Sequence, residues 1–200
     1  MLRSKTLLLF LLKALLIYAL FSAPLSFYDS NYGAFYRKVA GVFFSKFRET
    51  GFTRFREWKE PAATRVNIGN YKLVRPDGTS RTAFLDFNTR YLGYLPTILL
   101  ISLVLASPVP WKRKAIAMVV GLTLVMLLIM FKQWIALLWL SEENPWLELT
   151  HFTGTGKSIL AFLNSFISVS SSSVLYFVVA IWLLVTFRME DFKVQQVKKQ

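Results

Sequence analysis

The chain contains no cysteine. Disulfides, thiolate metal sites, covalent haem attachment and cysteine nucleophiles are therefore all excluded. Histidine occurs once, as His151, and one histidine without cysteine makes a poor zinc site. Aspartate and glutamate number 11 against 24 lysines and arginines, and none falls inside the long apolar runs. Those runs lack the carboxylates on which proton relays and ion coupling depend. No motif implies a cofactor.

What is abundant is apolar. Hydrophobic residues make up 54% of the 200, more than a soluble globule usually carries. They gather in blocks at 6–27, 91–109, 115–140 and within 159–187. Each block approaches the roughly 20 residues with which a helix crosses a hydrocarbon core about 30 Å thick. The pattern predicts an all-α, four-helix transmembrane bundle. The first block, preceded by Arg3 and Lys5, has the layout of a secretory signal, but Phe21 and Pro24 oppose cleavage. An uncleaved signal-anchor at 1–28 is expected, with Lys13 snorkelling toward the headgroups. An insert at 29–90 separates it from a three-helix region at 91–200.

A net charge of +13 raises nucleic acid as a partner, yet no nucleic-acid motif accompanies it. The basic residues gather at block edges and in the insert, so anionic lipid headgroups are the expected partner and nucleic acid is not. Lysines and arginines in short loops stay cytoplasmic during insertion. Arg3 and Lys5, then Lys112, Arg113 and Lys114 in the loop 110–114, then Arg188, Lys193, Lys198 and Lys199 in the tail 188–200, place both termini of a multi-pass inner-membrane protein in the cytoplasm. The loop after the third block holds Glu142, Glu143 and Glu148 and falls outside. So does the insert, because loops above about 60 residues escape the charge rule.

Within the insert, Phe35, Tyr36, Val39, Val42, Phe43 and Phe47 recur at helical spacing between basic residues. This predicts a short amphipathic helix in the headgroup region. Segments 66–68, 71–74 and 82–87 read as short strands separated by turns at Gly69-Asn70 and 75–78, giving a small antiparallel β meander and an α+β insert. Arg37, Lys38, Arg54, Arg56, Trp58 and Arg65 form its expected contact surface for lipid or a partner.

Four further features invite chemistry. Gly154-Thr155-Gly156-Lys157-Ser158 ends like a phosphate-binding loop, but the first glycine that motif needs falls on His151 and no buried strand precedes it. Glu148 and His151 share one loop and offer a general base or a grip on an anionic lipid or glycan, against the commoner reading of a solvated acidic loop. Lys132 lies inside an apolar block, which marks either a functional site or a snorkelling residue near the block's end. Ser170, Ser171, Ser172 and Ser173 permit close helix approach.

The stretch Tyr91-Leu92-Gly93-Tyr94-Leu95-Pro96, continuing through Leu105-Ala106-Ser107-Pro108 to Trp111-Lys112-Arg113-Lys114, resembles the second-span region of small multi-pass membrane proteins encoded beside bacterial exosortases. Trp182-Leu183-Leu184-Val185 with Phe187-Arg188 adds to the likeness. The resemblance implies an accessory role in sorting or exporting surface proteins. Exosortases themselves resemble transpeptidases with a catalytic cysteine, so a chain without cysteine is not that enzyme. The expected function is a non-catalytic accessory or scaffold contacting another membrane protein or an envelope substrate. Two alternatives stay open: a membrane-surface enzyme acting through Glu148 and His151, and a small channel or transporter component with a path past Lys132 and the serines.

Overall fold

The computed structural model describes residues 4–23, 26–74, 78, 80–167 and 173–186. Its helices are α1 (Ser4–Ser22), α2 (Ser26–Phe43), α3 (Leu95–Ala106), α4 (Trp111–Glu143), α5 (Thr155–Ile167) and α6 (Ser173–Thr186). Its strands are β1 (Lys46–Phe47), β2 (Gly51–Trp58), β3 (Glu60–Val74) and β4 (Ser80–Asn88). The chain divides into two compact units, each drawn from separate stretches of sequence.

The first unit takes Met1–Ala23, Leu95–Leu127 and Val174–Gln200. Here α1 packs along α3, with Ala14, Leu103 and Ala106 buried beneath Phe10, Leu99 and Trp182. The Phe10 and Trp182 rings stack at 5.4 Å, and the Trp182 indole N–H donates to Ser107 Oγ at 2.9 Å. Gly121 lets Leu100 approach α4 closely, since a Cβ there would stand 2.9 Å from a Leu100 methyl. The outer side of α1 is a row of unpacked leucines: Leu8, Leu15, Leu16 and Leu20 are 61–71% exposed. Water would forfeit about 1.5–3 kcal/mol for each such side chain left unburied, a cost that lipid removes.

Among the described residues, two helices are long and apolar enough to cross a membrane, Lys5–Ser22 within α1 and Trp111–Glu143 as α4. This corrects the four-helix transmembrane bundle expected from the sequence. The second and fourth blocks form shorter apolar helices, Arg90–Ala106 and Val174–Thr186. At about 1.5 Å per residue, α3 measures roughly 18 Å against a core of about 30 Å. Its preceding residues, Arg90–Tyr94, coil as a π-helical turn, and after Ala106 the chain turns on a Val109 N–H to Ser107 carbonyl bond of 2.9 Å. Hydropathy counts apolar residues but registers neither change of coil. The place of α1 near the N-terminus is one that signal sequences share.

The second unit comprises Pro24–Tyr94 and Leu128–Ser173. Its four strands form one antiparallel sheet in the order β1-β2-β3-β4. The sheet is larger than the expected meander. Residues 51–58, not anticipated as a strand, form β2, and Gly69-Asn70 lies inside β3 instead of at a turn. The β2–β3 hairpin closes instead at Lys59, which takes a left-handed φ of 61°.

One face of the sheet is covered by α2, which buries Tyr36 and Ala40; these and Phe44, just after the helix, are each at 1% exposure or less. The helix expected among lipid headgroups therefore commits a face to the protein core. A Cβ at Gly33 would meet the Pro61 carbonyl oxygen at 2.5 Å, so glycine permits the close approach of α2 to β3. Tyr36 meets Phe55 and Phe87 edge-on, and Phe44 and Phe47 pack with Trp134 of α4. Tyr36 Oη donates to Gln133 Oε1 at 3.1 Å.

The segment after α4 joins this core. Asn70, buried in β3, donates from Nδ2 to the Leu147 carbonyl at 2.9 Å while its Oδ1 accepts from the Lys72 N–H. Thr150 donates to Ser141 at 2.8 Å. Glu142 accepts from the Phe152 N–H at 3.2 Å and pairs with Lys157 at 3.3 Å.

Candidate interaction surface

With one face of the sheet packed on α2, the strand alternation sends every second residue outward. On β2 the outward residues are Phe52, Arg54, Arg56 and Trp58. The register sets Arg54 beside Asn67 and Asn67 beside Phe84, then Arg56 beside Arg65 and Arg65 beside Asp86. Four of the residues expected at a contact surface, Arg54, Arg56, Trp58 and Arg65, are thus brought together on one face.

Arg65 is fixed in its position. Its Nε and Nη2 each donate to a different Asp86 oxygen, both at 2.6 Å, a two-pronged geometry that suits guanidinium and carboxylate. Its guanidinium lies 3.4 Å from the Trp58 ring centre and 4.3 Å from that of Phe84. The hydrogen bonds from Arg65 hold the Asp86 carboxyl below its ordinary value. Aspartate, the counter-charge on this face, is consumed by one arginine.

Arg54 and Arg56 make no salt bridge among the described residues. Arg54 rests over Phe52 at 5.1 Å, and Phe52 lies flat because Gly69 opposite it has no side chain: a Cβ there would sit 2.6 Å from the ring. Beside the two arginines runs a groove of about 380 Å³ lined also by Phe52, Asn67, Gly78, Ser80 and Thr82. Among the described residues its polar groups are hydrogen-bond donors or amphoteric, and no carboxylate of theirs lines it. The arrangement favours an anionic or acidic ligand.

Asn67, Ser80, Thr82, Phe84 and Asp86 were not anticipated as site residues. The alternation in Phe52-Thr53-Arg54-Phe55-Arg56-Glu57-Trp58 carries the signal that would have aligned Arg54, Arg56 and Trp58, but the partners across the ladder depend on register.

The remaining expected residues scatter. Arg37 is used internally: it donates to Glu57 at 2.7 Å and to the Pro61 carbonyl at 3.0 Å, with its side chain 12% exposed. Lys38 is exposed on α2. Glu148 lines a surface groove with Arg48, Glu49, Thr50, Lys72 and Leu149. His151 is exposed and lines no part of that groove, and the two share no hydrogen bond among the described residues. No metal-holding cluster occurs among the described residues. Gly154, with φ 53°, leads into α5 after an irregular stretch and not from a strand.

Lys132 does not snorkel. It lies on the α4 face that also buries Ile129, Gln133, Ala136 and Leu137, is 1% exposed, and its Nζ finds no hydrogen-bond partner among the described residues. Ser170, Ser171 and Ser172 lie outside the described residues, as does the tail 188–200, and the side chain of Ser173 does too. No family model, curated protein or solved structure matches the chain.

Proposed function

We propose that the protein is a non-catalytic, membrane-anchored docking module whose exposed sheet face receives an acidic surface of another membrane protein or an envelope substrate. The observation that carries this reading is the outward row of Arg54, Arg56 and Arg65, in which Asp86, the one facing carboxylate among the described residues, is already bound by Arg65. The aromatic rings under Arg54 and around Arg65 hold the cations in fixed directions, which suits recognition at a surface. Glu148 lines a groove that His151 does not, and the two share no hydrogen bond among the described residues, which favours docking over a reaction in that loop.

Charge placement supports a bacterial inner-membrane location with the sheet on the extracytoplasmic side. Lys112, Arg113 and Lys114 mark the start of α4 as its cytoplasmic end. The Asn70–Leu147 bond ties β3 to the segment just after α4, which supports that placement. The likeness of 91–114 to proteins encoded beside exosortases supports a place in the sorting or export of surface proteins. Purification from native membranes in mild detergent tests the reading: a stoichiometric membrane partner should accompany the chain, and its departure should be promoted by salt. Recovery of the lone chain under several gentle conditions would contradict it.

A further inference from the structure

A second pocket, of about 390 Å³, opens beside β4 and shares no lining residue with the arginine groove. Four consecutive residues of the strand, Leu85, Asp86, Phe87 and Asn88, line it. Neighbouring strand residues point to opposite faces, so a pocket that touches four in a row must run along the strand's edge. Among the described residues β4 is the end of the sheet, paired only with β3, and an unpaired edge presents a row of backbone donors and acceptors that invites another strand. α4 contributes an apolar stretch of the lining, Ala136, Trp139 and Leu140, beside which stand Tyr91 and, from α5, Asn164.

At the pocket's border stands Glu143, in the last turn of α4. A carboxylate there is disfavoured by the negative end of the helix dipole, and no cation pairs with it among the described residues. Helix stability therefore gives no reason for an acid at this position, whereas a basic side chain entering the pocket would supply one.

We infer that the β4 edge is a docking groove for an extended segment of a protein partner, which adds as a fifth strand, turns alternate apolar side chains toward Ala136, Trp139 and Leu140, and sets a lysine or arginine against Glu143. This deepens the docking reading by naming the form of the partner's segment, and it rests on that reading only in taking the occupant to be a protein. Backbone pairing supplies affinity and the pocket supplies selection, as in other strand-addition complexes.

The test uses the full chain in detergent and a fluorescein-labelled hexapeptide that alternates valine with threonine and carries one lysine. Two analogues are N-methylated at alternate residues, each losing the N–H groups along one edge. Strand addition requires one analogue to bind at least about tenfold more weakly than the other. Glu143→Arg should weaken the parent peptide by a similar factor, whereas the double variant R54E/R56E should leave its affinity unchanged. Equal affinity of both analogues, no binding of the parent peptide, or equal loss in R54E/R56E overturns the proposal. The first two results leave the arginine-face reading standing, and the third assigns the peptide to that face.

Discussion

Asn70 and Leu147, 77 residues apart in sequence, are joined by a 2.9 Å hydrogen bond from the Asn70 amide to the Leu147 carbonyl. Asn70 is 2% exposed and Leu147 fully buried, so neither group has water as a substitute. Asn70→Ala should cost about 1–3 kcal/mol, because it strands a buried carbonyl as well as deleting a bond. Thermal unfolding in detergent, with Asn70→Ala compared against the exposed Lys72→Ala, measures it. Equal midpoints for the two variants would show that the contact does not join the insert to the chain after α4.

The same bond bears on the proposed topology, which requires β3 and the segment after α4 to share one side of the membrane. Because the natural chain has no cysteine, single cysteines placed at Lys72 and Glu148, which line one groove, report accessibility without background. Both should react with a membrane-impermeant maleimide added to intact cells or spheroplasts. Reaction of one from outside and the other only after lysis would contradict the topology.

Adjacent phenylalanines at the end of α2 should respond in opposite ways. Phe44 is 1% exposed and stacks on Trp134, whereas Phe43 is 61% exposed. Phe44→Ala should lose about 3–5 kcal/mol of stability. Phe43→Ala should stay within about 0.5 kcal/mol. Denaturant unfolding of both variants checks the assignment of α2 to the core of its unit.

The Arg65–Asp86 pair makes a prediction in pH. The Asp86 carboxyl is held below its ordinary 3.8 by hydrogen bonds from Arg65. A lowered folded value means that the pair's contribution is complete above the ordinary value and vanishes as pH falls through the lowered one. The Arg65 Nε–H resonance should therefore titrate below 3.8 and should lose that transition in Asp86→Asn. A midpoint at or above the ordinary value would show that the carboxylate is not engaged.

The two candidate spans are legible in the sequence, because a long apolar run is a one-dimensional signal. The runs that became α1 and α4 were read in that way. The run that forms α3 falls short of a span because hydropathy sums composition and is blind to the turn after Ala106 that ends the helix. The interaction surface was half legible. Arg54, Arg56 and Trp58 share a strand and a parity, so local alternation aligns them, but Asp86 and Phe84 reach Arg65 through the β3–β4 register, which no short window contains. Arg37 shows the converse. It reads as a surface cation, yet its partner Glu57 lies 20 residues away on β2. Lys132 was read from its distance to the block's end, whereas the helical face it shares with Ile129 and Ala136 decides its burial.

The account turns on the two arginines that Asp86 does not neutralise. Replacing Arg54 and Arg56 together by glutamate alters exposed side chains, so folding should be retained while the charge that meets the partner is reversed. The decisive measurement is the amount of membrane partner co-purified with R54E/R56E relative to the wild-type chain at equal expression and low salt. The account predicts a loss of at least about tenfold, the consequence of placing like charges across an interface. Undiminished recovery with the double variant would contradict it and assign the docking surface elsewhere on the molecule.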